Sequence, residues 1–112
     1  MTYRQLNGKL FSLQIINLVW ENADTVAGVD PNMFRKDKCG AWIKKDHYGK
    51  SLATSSMAWV IDHIKPHSFG GTDALSNLQA LQLSNKEQKK NQYPYWSCQV
   101  KGVAHTNQLI NQ

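Results

Sequence analysis

Long apolar runs are absent from this sequence of 112 residues. No run approaches the about 18 to 20 apolar residues that a membrane-spanning helix needs. The N-terminus also lacks the charged-then-apolar pattern and small-residue cleavage site of a secretory signal. We therefore expect a soluble protein of the cytoplasm, and its length predicts one domain with a modest core.

Cysteine is scarce as well, occurring only at Cys39 and Cys98, and neither residue belongs to a Cys-x-x-Cys pair. This pattern argues against a zinc knuckle of four thiolates. In the reducing compartment expected for this chain, two isolated cysteines are predicted to remain free, partly buried thiols.

Negative charge is limited, because 8 acidic residues face 13 basic ones and the formal net charge is +5. The sequence pI is about 9.3. Basic small proteins often bind nucleic acid through its phosphates, although charge alone does not identify the partner. Hydrophobic residues make up 41% of the sequence, which favours a folded chain over a disordered one.

Apolar residues at helical spacing predict a first helix from Leu10 to about Asn22, with Asn7 or Ser12 as its N-cap. Asp30 followed by Pro31 is typical of a helix start, so a second short helix is predicted up to position 37. Three later stretches have the apolar character of short strands: 41–43, 59–64 and 78–81.

The polar stretch that follows has the spacing of a capping box, in which Ser84 is the N-cap and Glu87 reaches back. It predicts a third helix over about 85–91, ended by Pro94. The tail contains a predicted strand or turn near 99–103.

The acid–imidazole pair Asp62-His63 ends an apolar stretch, and Asn77 opens the next one 14 residues after His63. A neutral imidazole can accept a proton from water near pH 7, and a carboxylate is a ligand for hard cations such as Mg²⁺. A lone histidine is more often structural, but this context favours His63 as a base and Asp62 as a metal ligand. Neighbouring strand residues face opposite sides, so sharing one site requires an irregular strand at 62–64.

Three polar side chains downstream complete the candidate site. Asn77 can hold the loop backbone through its amide, either to organise a site or merely to close the loop. Asn85 and Lys89 lie one helical turn apart on one face. Asn85 can offer a carbonyl oxygen to a metal and Lys89 a positive charge to phosphate, although a solvated lysine-rich helix explains the lysines equally well.

Three segments together resemble HNH endonucleases of the ββα-metal, or His-Me finger, class, especially small phage and bacterial members. They are Ile61-Asp62-His63-Ile64-x-Pro-x-Ser-x-Gly-Gly, Leu75-x-Asn77-Leu78-Gln79-x-Leu81 and Asn85-x-x-x-Lys89. The segment before them, from Val19-Trp20 through Asp30-Pro31 to Lys38-Cys39-Gly40-Ala41-Trp42-Ile43, also resembles small members of this class. Together the resemblance covers most of residues 18 to 91. It implies an α+β fold with a ββα-metal core at about 57–91, an N-terminal helix and a short hairpin, all within one nuclease domain of residues 1–112.

The resemblance also implies a metal-dependent DNA endonuclease of a bacterial or phage-infected cell. Its cofactor would be Mg²⁺ or Mn²⁺, without structural zinc, and its partner double-stranded DNA. In this interpretation His63, Asn77 and Lys89 act in catalysis, with His63 as the general base and Asn77 orienting the loop. Asp62 and Asn85 hold the metal.

The third motif position is open, because many relatives place their last ligand nine residues after the middle Asn, where this chain has Lys86. Asn85, one residue earlier, and Glu87 are the alternatives. The departure keeps a second hypothesis open, a non-catalytic DNA-binding or assembly module that retains the HNH frame. A bacteriocin-type toxin domain is a third.

Basic side chains are candidates for DNA contact, since phosphate contacts supply affinity without sequence preference. A solvated surface is the alternative for each of them. The candidates are Arg35, Lys38, His67, Lys86 and Lys90.

Overall fold

The computed structural model describes residues 2–4 and 10–110 of the chain. Within these residues, two α-helices and four antiparallel strand pairs give an α+β architecture. The elements in chain order are β1 (Thr2–Arg4), β2 (Leu10–Ser12), α1 (Leu13–Glu21), β3 (Phe34–Lys36), β4 (Trp42–Lys44), β5 (Trp59–His63), β6 (Leu78–Gln82), α2 (Leu83–Lys89), β7 (Val100–Val103) and β8 (Thr106–Leu109). None of the helices in the described part is long and apolar enough to cross a membrane.

Helix α1 starts later than its apolar spacing predicts, because residues 10–12 form β2 and pair with β1. Ser12 is the N-cap, with its hydroxyl accepting a hydrogen bond from the Ile15 backbone N–H at 3.2 Å. The other candidate cap, Asn7, lies outside the described residues. The helix buries Ile16, Val19 and Trp20, which pack against the central hairpin.

The predicted helix from Asp30 to Asp37 is wrong. Asp30 caps only one turn, in which its side chain accepts from the Asn32 N–H at 2.9 Å. The chain then extends as β3, which pairs with β4 in the register Phe34↔Lys44. Strand pairing supplies the hydrogen bonds that a longer helix would have formed, and the local start signal does not propagate.

The central element is the hairpin of β5 and β6, paired without interruption from Trp59↔Gln82 to His63↔Leu78. Every residue of β5 is buried. Trp59 and Ile61 join the core cluster that includes α1, whereas Val60 packs with Leu83 of α2. The side chains therefore alternate strictly between two faces. The predicted irregularity is absent at Asp62 and His63, which pair regularly, and the chain leaves the strand only at Ile64.

Helix α2 follows β6 without a linker. Its N-cap is Gln82, whose side-chain oxygen accepts from the Asn85 N–H at 3.0 Å. The predicted capping box of Ser84 and Glu87 is therefore wrong, because the helix begins at Leu83, two residues early. It ends at Lys89, and Lys90 adopts a positive φ of 53°.

The C-terminal hairpin of β7 and β8 is tied to the rest of the fold by a disulfide between Cys39 and Cys98. The prediction of two free thiols is wrong, since the fold brings together cysteines 59 positions apart in the sequence. Backbone contact reinforces the link, with the Gly102 N–H donating to the Gly40 carbonyl at 2.8 Å.

Candidate active site

His63 ends β5 and is only 8% exposed. Its Nε2 lies 2.7 Å from Oδ1 of Asp73, and Nε2 of His67 lies 3.0 Å from the same oxygen. The two imidazole rings are 4.5 Å apart between centroids. The structure thus gives His63 a carboxylate partner that the sequence interpretation missed. The sequence does contain a signal for this partner, because an acidic residue, Asp73, follows the Gly-Gly pair of the loop.

The contact with Asp73 fixes which nitrogen of His63 can act on water. An ionised carboxylate only accepts hydrogen bonds, so Nε2 must carry the proton that it donates to Asp73. Nδ1 is then the basic nitrogen of the neutral ring. We find no hydrogen-bond partner for Nδ1 among the described residues, and the ring can therefore offer this nitrogen to a water molecule.

The loop that carries His67 and Asp73 is held by Asn77. The Asn77 amide accepts from the Lys65 N–H at 2.9 Å and donates to the carbonyls of Lys65 at 3.0 Å and Thr72 at 2.8 Å. Gly71 completes the closure, because a Cβ there would lie 1.6 Å from the Lys65 carbonyl oxygen. The loop geometry that brings Asp73 to His63 therefore depends on the Asn77 amide and on a glycine at position 71.

Asp62 lies on the other face of β5 and is completely buried. One carboxylate oxygen accepts from the Gln79 amide at 2.9 Å. The other contacts the ammonium groups of Lys86 at 2.8 Å and Lys89 at 3.3 Å. Lys89 also donates to the His63 carbonyl at 3.0 Å. Burial lowers the pKa of Lys89, and the neighbouring Asp62 carboxylate opposes that shift.

Asn85 is also fully buried, but its side chain hydrogen-bonds to the start of the C-terminal hairpin. Its oxygen accepts from the backbone N–H groups of Gln99 at 2.7 Å and Val100 at 2.9 Å. Its nitrogen donates to Oδ2 of Asp37 at 3.0 Å and to the Val100 carbonyl at 3.1 Å. Burial raises the pKa of Asp37, and its hydrogen bonds oppose the shift. Among the residues that the structure describes, Asn85 and Asp62 share no hydrogen-bond partner.

These contacts test the predicted metal site, and the residues do not fit it. Both lone pairs of the Asn85 oxygen are used, and both Asp62 oxygens are bonded. A divalent ion about 4 Å from a single ammonium is repelled by about 8 kcal/mol at an effective dielectric constant of 20, and Asp62 contacts two ammoniums. Asp62 and Asn85 therefore do not form a common ligand set.

A different group of side chains has the chemistry of a metal site. The ligand atoms of His63, His67 and Asp73 all lie within 4.8 Å of one another. Imidazole nitrogens suit ions such as zinc, whereas Mg²⁺ prefers oxygen. The cluster is also explained without an ion, since both rings hydrogen-bond to Asp73.

The candidate DNA-binding side chains differ in their availability. Arg35 is 9% exposed and donates to the carbonyls of Pro31, Glu21 and Ala23, a structural role that turns its guanidinium inward. Lys38 lies over the Trp96 ring at 5.1 Å, and Lys86 is bonded to Asp62. The side chain of His67 is 55% exposed, and Lys90, like the rival ligand Glu87, is exposed.

Comparison with known families places these residues in one segment. A family model described as HNH endonuclease matches residues 49–95, which include His63, Asp73 and Asn77. The match confirms the resemblance for the three motif segments between residues 61 and 89. HNH nuclease domains act on nucleic acid and typically use a divalent metal, so the match supports nuclease activity in general. No curated protein and no solved structure gives a significant match to the chain.

Proposed function

We propose that this protein is a DNA endonuclease that hydrolyses phosphodiester bonds with His63 as its general base. The observation that carries the proposal is the 2.7 Å contact between His63 and Asp73, which leaves Nδ1 of the buried ring as the proton acceptor. The family match over residues 49–95 supports the same reaction class. We take residues 1–112 as one nuclease domain, with its ββα-metal core at about 57–91.

In the proposed mechanism, Nδ1 of His63 accepts a proton from a water molecule as that water attacks phosphorus in line. The Asp73 carboxylate holds the ring in place and stabilises the imidazolium that forms. Asn77 acts by positioning, since it fixes the loop that presents Asp73. Lys89 fixes the backbone of the base through the His63 carbonyl.

The family's Mg²⁺ or Mn²⁺ would neutralise charge on the phosphate and stabilise the departing oxygen. The predicted ligands Asp62 and Asn85 do not fit such an ion here, so we assign no step to it. Double-stranded DNA remains the proposed partner, supported by the net charge of +5. Lys38, His67 and Lys90 are the exposed candidates for phosphate contact.

A second function has its own support. The chain can be a non-catalytic DNA-binding or assembly module, and the observation favouring it is the contact of Lys86 with Asp62 at 2.8 Å. The Lys86 ammonium occupies the carboxylate that would otherwise be available to hold the family's metal ion. Such a module would retain DNA without cutting it.

Nicking of supercoiled plasmid separates the two functions. We expect His63→Ala to lower the nicking rate at least about 100-fold, the lower end of a general base's usual contribution. The fold, followed by circular dichroism, and DNA retention on a gel should be unchanged. His105→Ala is the matched control, because His105 is exposed in the C-terminal hairpin. Equal nicking by the His63→Ala variant would overturn the base assignment, and DNA retention without nicking by the natural chain would favour the module.

A further inference from the structure

The group around Asp62 has an unusual balance of charge for a completely buried carboxylate. Its single negative charge contacts two ammonium groups, those of Lys86 and Lys89. Gln79 donates to the remaining oxygen and adds no charge. With both lysines protonated, the group carries a net charge of +1, whereas Asp62 alone would carry a charge of −1.

The two lysines occupy different environments. The Lys89 side chain is 2% exposed, and its ammonium is shared between Asp62 and the His63 carbonyl. The Lys86 side chain is 18% exposed, so its ammonium lies between the buried carboxylate and solvent. An ammonium has three N–H donors. We find one hydrogen bond from Lys86 within the described residues, to Asp62, and the other donors can face an incoming anion.

The positive group adjoins the proposed base through the backbone. Asp62 and His63 are consecutive residues, and Lys89 links the Asp62 carboxylate to the His63 carbonyl oxygen at 3.0 Å. The lysine group and the His63 ring lie on opposite faces of β5, but both are at the end of that strand, where Lys89 contacts the His63 carbonyl. A phosphodiester that spans the strand end from His63 would meet the Lys86 ammonium in the region where a metal site was predicted. Charge preorganised in this way stabilises a transition state without the cost of reorganising solvent.

We propose that Lys86, held by Asp62, supplies the positive charge of the active site, so that cleavage proceeds without an added divalent ion. This inference rests on the proposed nuclease function. The water oxygen forms a bond to phosphorus, its proton passes to Nδ1 of His63, and the phosphorus–oxygen bond to the leaving group breaks. Lys86 donates to a non-bridging phosphate oxygen, and the departing oxygen takes its proton from solvent.

The first test is plasmid nicking by the full chain in EDTA and in Mg²⁺. We expect the natural chain to retain its nicking rate in EDTA to within about 3-fold of the rate in Mg²⁺. Lys86→Met removes the charge but keeps most of the stem, and we expect it to lose about 100-fold under both conditions. Lys50→Asn is the control for net charge, because Lys50 is exposed and outside the site. It should nick at the natural rate.

The second test measures metal binding directly and needs no activity. Mn²⁺ titration followed by calorimetry should show no site beside Asp62 in the natural chain. Lys86→Asn removes one ammonium and adds an oxygen donor, so we expect it to bind Mn²⁺ at least 10-fold more tightly than Lys50→Asn does. A structural role for Lys86 would change thermal stability in the variants without creating metal affinity.

The outcomes separate the two proposals. Nicking by the natural chain only in Mg²⁺ overturns the role of Lys86 and leaves the nuclease assignment intact. Natural nicking rates for Lys86→Met in EDTA also overturn it. Absence of nicking under both conditions overturns the nuclease function and, with it, the catalytic use of Lys86. Nicking in EDTA that is lost in Lys86→Met supports both.

Discussion

Asp62 and His63 are neighbours on β5, yet their side chains contact groups on opposite faces of the β5–β6 hairpin. Asp62 contacts the lysines of α2, whereas His63 contacts Asp73 of the loop and lies 6.2 Å from Phe11 between ring centroids. The regular pairing of β5 with β6 imposes this alternation. The carboxylate that positions His63 is therefore ten residues away in the sequence.

Loss of the Asp73 carboxylate should impair catalysis more than DNA binding. For Asp73→Asn we expect kcat to fall at least about 10-fold, because a neutral amide stabilises the imidazolium less than a carboxylate does. Nicking rates at saturating DNA and gel retention give the kcat and binding effects separately. Asp46→Asn is the matched control, since Asp46 lies 3.7 Å from His47 outside the site. Equal losses in both variants would contradict a special role for Asp73.

A methyl group at position 71 should disrupt the active loop. In Gly71→Ala the new Cβ would lie 1.6 Å from the Lys65 carbonyl oxygen, so the backbone must move. We expect at least a 10-fold loss of nicking and a lower melting temperature. Gly70→Ala is the comparison, because open space surrounds its Cβ and only its φ of +90° opposes the change, at a cost of about 1–2 kcal/mol. A milder effect at Gly71 than at Gly70 would refute the loop-closure argument.

Asn85 should prove to be a stability residue. Asn85→Ala removes four side-chain hydrogen bonds and leaves the buried Asp37 carboxylate short of a donor. We expect the free energy of unfolding to fall by about 3–5 kcal/mol, as for other broken buried polar networks. Urea titration measures this change, and the exposed Glu87→Ala should cost less than about 0.5 kcal/mol. An unchanged midpoint for Asn85→Ala would leave the metal-ligand role open.

Reduction of the disulfide should destabilise the fold. The bond between Cys39 and Cys98 closes a loop over 59 positions, and the chain-entropy model gives such a bond about 4 kcal/mol. The urea midpoint should fall on adding dithiothreitol. The Cys39→Ser/Cys98→Ser double variant should start at the lower value and show no response to the reductant. Mass spectrometry under non-reducing conditions checks that the bond is present.

The parts of the fold that the sequence predicted were set by local pattern. Turn residues and apolar stretches located β5 and β6, and helical spacing located α1. The helix start at Asp30 failed because pairing between β3 and β4 competes with it over a longer range. The disulfide was missed for a similar reason, since its partners meet only after the chain folds.

The residues of the candidate site were likewise predicted where local spacing sets their position and missed where a contact depends on the folded chain. Spacing pointed to His63 and Asn77 because His63 ends β5 and Asn77 directly precedes β6, so both positions follow from where the apolar stretches stop and start. It could not assign Asp73 to His63, because that contact depends on how the loop closes. Spacing did show Lys86 as a departure from the family pattern, but only the fold shows that its ammonium contacts Asp62.

The hydrogen bonds of Asn85 have a practical consequence for anyone preparing shorter versions of this protein. The HNH match ends at residue 95, but Asn85 bonds to residues 99 and 100 and to Asp37. A fragment trimmed to residues 49–95 would strip the helix that bears Lys86 and Lys89 of these anchors. Expression of the matched segment alone should therefore yield a poorly folded product, and useful boundaries must include both flanks.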